Sequence, residues 1–137
     1  MFDVLQDILI ITDTGKVVAS KIKNKFIEEQ IFGMLISALS SFAHQLSKGH
    51  LNNIEFRNLR FDLVRKQGFI FLGTSSRKIE HHKVIRTLEN VSELFFQYYP
   101  NIEQWDGNIN IFQELEKYLN KTRDEMIIEL IFKENTT

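Results

Sequence analysis

The stretch Ile31–Leu46, IFGMLISALSSFAHQL, runs for sixteen residues without a formal charge, and it restricts the possible folds of this chain more than any other segment. Ile31, Leu35, Leu39, Phe42 and Leu46 recur at helical spacing and form an apolar stripe. Gly33, Ser37, Ser40, Ser41 and His44 take up much of the remaining surface. They are small and weakly polar, unlike the Lys and Glu of a solvated face. A helix of this kind is covered on both sides, either by another part of the same chain or by a second subunit. In the second case Gly33, Ser37, Ser41 and His44 are the interface residues, joined by Ile54 and Phe56 of the strand that follows.

At 137 residues the chain is long enough for one domain with a single sizeable core. Only one Pro and six Gly argue against long flexible linkers. The absence of Cys removes disulfide frameworks, thiol nucleophiles and thiolate metal sites, as in proteins of a reducing cytosol. The opening MFDVLQD has no basic region of the signal-peptide kind, and the apolar runs stop short of the roughly 20 residues that span a bilayer. These features predict a soluble, cytoplasmic protein. Charge is unevenly spread: residues 16–86 carry thirteen Lys/Arg against five Asp/Glu, while 89–116 carry six acids and no Lys or Arg. Such a split either steers an acidic partner or anionic lipid to one face, or is neutralised within the fold.

Taken in order, Leu9–Ile11, Asp13-Thr14-Gly15 and Val17–Ile22 read as strand, tight turn and strand, with Gly15 supplying a positive φ. The first strand has no polar alternation and belongs inside a sheet covered on both faces, whereas the second suits an edge. The uncharged helix begins near Phe26–Glu29, where Glu28 and Glu29 complement its dipole, and ends at Ser47-Lys48-Gly49. Three strands in a meander follow. Ile54 and Phe56 share one parity, Leu59, Phe61 and Leu63 the other, so a tight turn or a bulge between two antiparallel strands falls at Arg57-Asn58. A second turn lies at Lys66-Gln67-Gly68, before the apolar run Phe69–Leu72. Lys78–Tyr99 has helical period, with Ile79, Ile85, Leu88, Val91, Leu94 or Phe95, and Tyr98 inward, and Pro100 stops it. Ile109–Leu119 reads as another helix with Ile111, Phe112, Leu115 and Leu119 inward. Thr122–Glu125 matches a capping box for a last segment, Met126–Phe132. The expected fold is therefore α+β, in the order β-β-α-β-β-β-α-α. A five-stranded antiparallel sheet carries the long helix on one face and two or more C-terminal helices on the other. Residues 1–121 form the domain and 122–137 a C-terminal helical extension.

In the opening hairpin DILIITDTGKVVASKI, the central helix, the meander IEFRNLRFDLVRKQGFIFLG and the helix VIRTLENVSELFFQYYP, the chain resembles the longin-like branch of the longin/roadblock (profilin-like, SNARE-like) superfamily. The resemblance covers about residues 5–120 and is one of element order and texture, with no invariant motif. The lack of a helix before the first strand and the helix after Trp105 favour longin over roadblock, and the texture is similar to archaeal relatives of eukaryotic trafficking proteins. The resemblance implies a non-enzymatic platform that pairs with itself or with a related longin/roadblock protein. It further implies regulation or adaptation of a small Ras-like GTPase in trafficking or polarity, with any membrane association running through a partner. No SNARE heptad segment follows in the sequence, which argues against a vesicle SNARE, and the family offers no catalytic residue to carry over.

The individual residues that could carry chemistry point the same way. Adjacent His81 and His82 project about 100° apart on a helix and cannot share a metal as an i,i+4 pair does. His44 serves either a dimer interface or a capping contact. Gly73–Lys78 lacks the spacing of a nucleotide-binding P-loop, and Ser75 or Ser76 reads as the N-cap of the following helix. Asp13, Asp62 and Asp106 are dispersed and form no triad with Ser and His. Phe61, Phe69 and Phe71 should point to the core, with Arg60 and Asp62 outward, so no nucleic-acid platform is expected. Trp105 is either a recognition loop residue or a plug under the final helices. The expectation is no enzyme, no cofactor and no metal. The rival readings are a small-molecule-sensing PAS/GAF/profilin-like domain and a small subunit of an adaptor-coat complex.

Overall fold

Turn chemistry fixes the strand pairing. In the computed structural model, which describes residues 4–23, 36, 53–56, 59–121, 131 and 132 (backbone alone at 53–56 and 59), Gly15 adopts φ 93° after Asp13-Thr14. It turns β1 (Asp7–Thr12) into β2 (Val17–Lys21). Gln67 at φ 50° and Gly68 at φ 81° form a two-residue turn of the kind that matches strand twist. This turn joins β4 (Leu59–Lys66) to β5 (Phe69–Ser76), with Lys66 opposite Phe69. β3 (Asn53–Phe56) pairs with β4 so that Phe56 faces Leu59. Residues 57 and 58 lie outside the described residues. The strands join in one antiparallel sheet in the order β2-β1-β5-β4-β3. The chain leaves the sheet at one edge, β2, and re-enters it at the other, β3.

The class is α+β, with an antiparallel sheet and packed helices. One face carries Ile8, Ile10, Val18, Ala19, Phe69 and Phe71, packed against Val84, Leu88, Val91 and Phe95 of α1 (His81–Tyr98) and against Phe112, Leu115 and Leu119. The other face gathers Leu9, Ile11, Val17, Leu63, Ile70 and Leu72 around Ile36, which is helical in backbone and 1% exposed. β1 and β5 are thus buried on both sides, the physical reason for their missing polar alternation. At Gly73 the packing is so close that a Cβ would lie 2.8 Å from the Leu5 side chain. Asp7, fully buried, accepts from Thr74 Oγ1 at 2.6 Å and from the Lys23 amide at 2.7 Å, fastening the chain where it leaves β2. The remainder of the expected Ile31–Leu46 helix, with its start near Phe26–Glu29 and its end at Ser47–Gly49, lies outside the described residues, as does the Thr122–Glu125 capping box.

The helical segments depart from the expected phase. α1 starts at His81, not Lys78. Its N-cap is Glu80, with no side-chain cap bond, so neither Ser75 nor Ser76 caps it. Ser75 is instead a buried residue of β5, and Ser76 Oγ accepts from the Lys78 amide in the turn. The inward stripe is Val84, Leu88, Val91, Ser92 and Phe95, which leaves Ile85 half-buried and Tyr98 exposed. Beyond Pro100, a single 3-10 turn spans Ile102–Gln104, and a second, Ile109–Phe112, leads into the short α2 (Gln113–Leu119). A 3-10 turn advances about 120° per residue instead of 100°. Ile111 therefore rotates outward and is 44% exposed, while Phe112, Leu115 and Leu119 point in as expected. Of the last expected segment, Ile131 and Phe132 are described; both are helical and exposed.

Tyr99, at the α1 C-terminus, donates its hydroxyl to the Ile111 carbonyl at 2.9 Å and is held above the usual 10.0 chiefly by burial, with Glu114 nearby adding to the rise. A phenol whose folded pKa lies above its unfolded value contributes stability in full below the unfolded value, near pH 10, and loses it as pH climbs through the folded value. Tyr99→Phe should therefore flatten part of the fall in the urea midpoint between about pH 9 and 11. Identical alkaline slopes for the two proteins would refute the assignment.

Candidate functional site

The sheet has two edges, and they are unlike. β2 is tied down by α2: Asn120 Nδ2 donates to the Ser20 carbonyl at 3.0 Å, and Ser20 Oγ donates to Glu116 Oε1 at 3.2 Å. The β1–β2 hairpin is also held by Lys16, whose Nζ donates to the Gly107 carbonyl at 3.0 Å and lies 5.6 Å over the Trp105 ring. Trp105 itself packs on Phe69 and Phe112 and donates Nε1–H to the Asn108 carbonyl, so it is the plug between the sheet and the final helix. β3 pairs with β4 and, among the described residues, with no strand on its other side. An edge strand offers a row of main-chain donors and acceptors to another chain.

Of the expected interface residues, Gly33, Ser37, Ser41 and His44 lie outside the described residues. Ile54 and Phe56 lie on β3 at register positions opposite Phe61 and Leu59. Phe61 packs against the sheet face that holds Ile36, the immediate sequence neighbour of Ser37.

A second polar centre lies on the opposite face, and the expectation that Arg60 and Asp62 point outward is corrected by it. Even-numbered positions of β4 face α1, so Asp62 is fully buried and Arg60 nearly so. Arg60 Nε donates to Asp62 Oδ2 at 2.8 Å, and its Nη2 donates to the Ile79 carbonyl at 3.1 Å. His81 Nδ1 approaches the other Asp62 oxygen at 3.1 Å from an exposed position, while His82 Nε2 lies 3.2 Å from Glu80. Arg60 thereby links β4 to the turn before α1. Phe61, between them, turns to the Ile36 face, whereas Phe69 and Phe71 pack under α1 as expected. Ser75, opposite Arg60, has a buried hydroxyl with no hydrogen-bond partner among the described residues. The sequence signal for this centre is an Arg-x-Asp pair on one parity of a strand whose other parity is apolar. Among the described residues no group of three or more His, Asp or Glu is placed to hold a metal.

No protein-family model and no curated protein matches the chain. Solved structures do. MglB of Myxococcus xanthus superposes with a TM-score of 0.58 at 9% identity, over 74% of this chain and 82% of that one. An MglB with a tetrameric arrangement gives 0.59 at 13%, over 68% and 76%. A roadblock/LC7 domain from Streptomyces avermitilis gives 0.53 at 10%, over 67% and 86%. Identities this low establish likeness of fold. The chain has the longin/roadblock, profilin-like fold. The narrower preference for the longin branch and the archaeal affinity gain no support from these structures.

Proposed function

We propose that the chain is a non-enzymatic, dimeric platform that regulates or scaffolds a small Ras-like GTPase, in the cytoplasm and in trafficking or polarity. The observation that carries this reading is the unlike pair of sheet edges. One is fastened by α2, and the other, β3, has no strand on its outer side among the described residues, in a fold shared with MglB and roadblock structures. On this reading Gly33, Ser37, Ser41 and His44 meet their counterparts in a second copy or in a related longin/roadblock protein, with Ile54 and Phe56 beside them. Residues 122–137 act as an extension of the 1–121 domain.

A regulator of a switch protein must bind its two nucleotide states unequally, because equal affinity shifts no equilibrium. The test is binding of the full chain to a panel of Ras-like GTPases, each loaded with GDP or with a non-hydrolysable GTP analogue. At least one GTPase should show a preference of roughly tenfold or more between the states. Absence of binding to every member in either state would overturn the partner class. Equal binding in both states would overturn the regulatory role.

A further inference from the structure

Strand register gives the sheet two ends, and charge is divided between them. At one end lie the start of β1, where Asp7 is opposite Thr74, and the end of β5, where Ser76 is opposite Leu59. From there the chain passes through Arg77–Glu80 into α1, which runs back along the sheet so that Leu88 reaches Gly73 and Phe95 reaches Phe69. Lys78, Lys83 and Arg86 are exposed at this end, with Arg77 beside them, and the Lys23 amide is held there by Asp7. Among the described residues Lys78, Lys83 and Arg86 make no ion pair. The neighbouring acids are engaged: Asp7 and Asp62 are buried, the latter on Arg60 and His81, and exposed Glu80 lies against His82. The positive end of the α1 dipole, with no acid in its first turn, adds to the same field.

Glu89 follows Arg86 by one turn and bounds this basic end. Glu93 is about 15 Å along the helix from Lys83, beyond the roughly 8 Å reach of a charge at physiological salt. Exposed Glu103, Asp106 and Glu114 sit at the opposite end, where Trp105 packs on Phe69 and Tyr99 bonds to the Ile111 carbonyl. The cations at residues 77–86 are thus set apart along the strands from the acids at 103–114 and are not neutralised by them. Within residues 4–121 the exposed large apolar side chains are Tyr98, Ile109 and Ile111, all at the acidic end. The basic end therefore lacks both the apolar centre of a protein interface and the aromatic rings on which bases stack. We infer that the end of the sheet around Arg77, Lys78, Lys83 and Arg86 is a docking surface for an anionic phospholipid membrane. Long exposed cations spread over a loop and a helix start suit a plane of phosphates, which asks for charge and no fixed geometry. Each Lys or Arg brought near such a surface strengthens binding roughly fivefold. Docked on this end, the chain stands with its strands upright, its acidic end away from the lipid and the β3 edge at the side. The chain makes this contact itself, whatever β3 binds.

The experiment is co-sedimentation of the full chain with vesicles of phosphatidylcholine, alone or with about 30 mol % phosphatidylserine, at about 0.1 M salt. Binding should be stronger with phosphatidylserine by about tenfold or more, and should fall by about as much at 0.5 M salt. Lys78→Glu combined with Lys83→Glu should weaken it by about tenfold or more. Adding Glu103→Lys and Glu114→Lys to that variant restores net charge at the far end and should not restore binding. Lys78→Gln with Lys83→Gln, gentler to the fold, should weaken binding in the same sense, and circular dichroism confirms that each variant is folded. Equal binding to both vesicles, or none, would overturn the inference, as would full binding by the charge-reversed variant or its rescue from the far end. Soluble polyglutamate bound as tightly as the phosphatidylserine vesicles would assign this end to an acidic polypeptide and overturn the lipid.

Discussion

Phe95→Ala is expected to destabilise the domain by about 4 kcal/mol. Phe95 is fully buried, and its ring lies within 4.9 to 5.6 Å of Phe69, Phe71, Phe96, Tyr99 and Phe112. These neighbours come from β5, from α1 itself and from the 3-10 turn before α2, so one ring joins three elements. Truncation removes buried apolar surface and leaves a cavity walled by other aromatic rings, which cannot collapse without leaving their own rotamers. Phe96, half-buried, reaches Phe69 and Phe71 from the rim of the same cluster, and its replacement by Ala should do less damage. Urea unfolding checks both. A loss below about 1 kcal/mol for Phe95→Ala would mean that the aromatic cluster does not hold the helices to the sheet.

Asp62→Ala is expected to cost about 3 kcal/mol, since it leaves the Arg60 guanidinium nearly buried with no counter-charge. Arg60 would keep its bond to the Ile79 carbonyl, but it would hold the α1 entrance with an uncompensated charge. Replacing both residues by Leu removes the charge along with its partner and should be much less harmful than Asp62→Ala alone. Equilibrium unfolding of the three proteins decides this. If the double variant is the least stable of the set, the pair is a net source of stability and not mainly a means of registering α1 on β4.

The sheet was legible because its signals are local. Gly15 and Gln67-Gly68 mark turns by backbone conformation, and the apolar runs of β1 and β5 follow from burial on two faces. The parity change in the sequence between Phe56 and Leu59 matches their antiparallel pairing. What escaped depends on tertiary context. Arg60 and Asp62 look like an outward polar face until α1 is laid across them, because parity tells which residues share a side and not which side is covered. The 100° period placed Ile111 inward, yet its turn is 3-10 and carries it to the surface. The serines before α1 resemble caps in sequence, but β5 extends through them and the helix starts only at His81. For the candidate site, the edge character of β3 could be reached from strand order, while the contributions of Gly33, Ser37, Ser41 and His44 rest on the uncharged helix pattern alone.

The measurement that bears most directly on the platform reading is the absolute mass in solution by light scattering, across a concentration series. A dimer held by the β3 edge and its neighbouring helix should persist at twice the chain mass of 16.2 kDa. A mass of 16.2 kDa that holds to the highest concentration would contradict it.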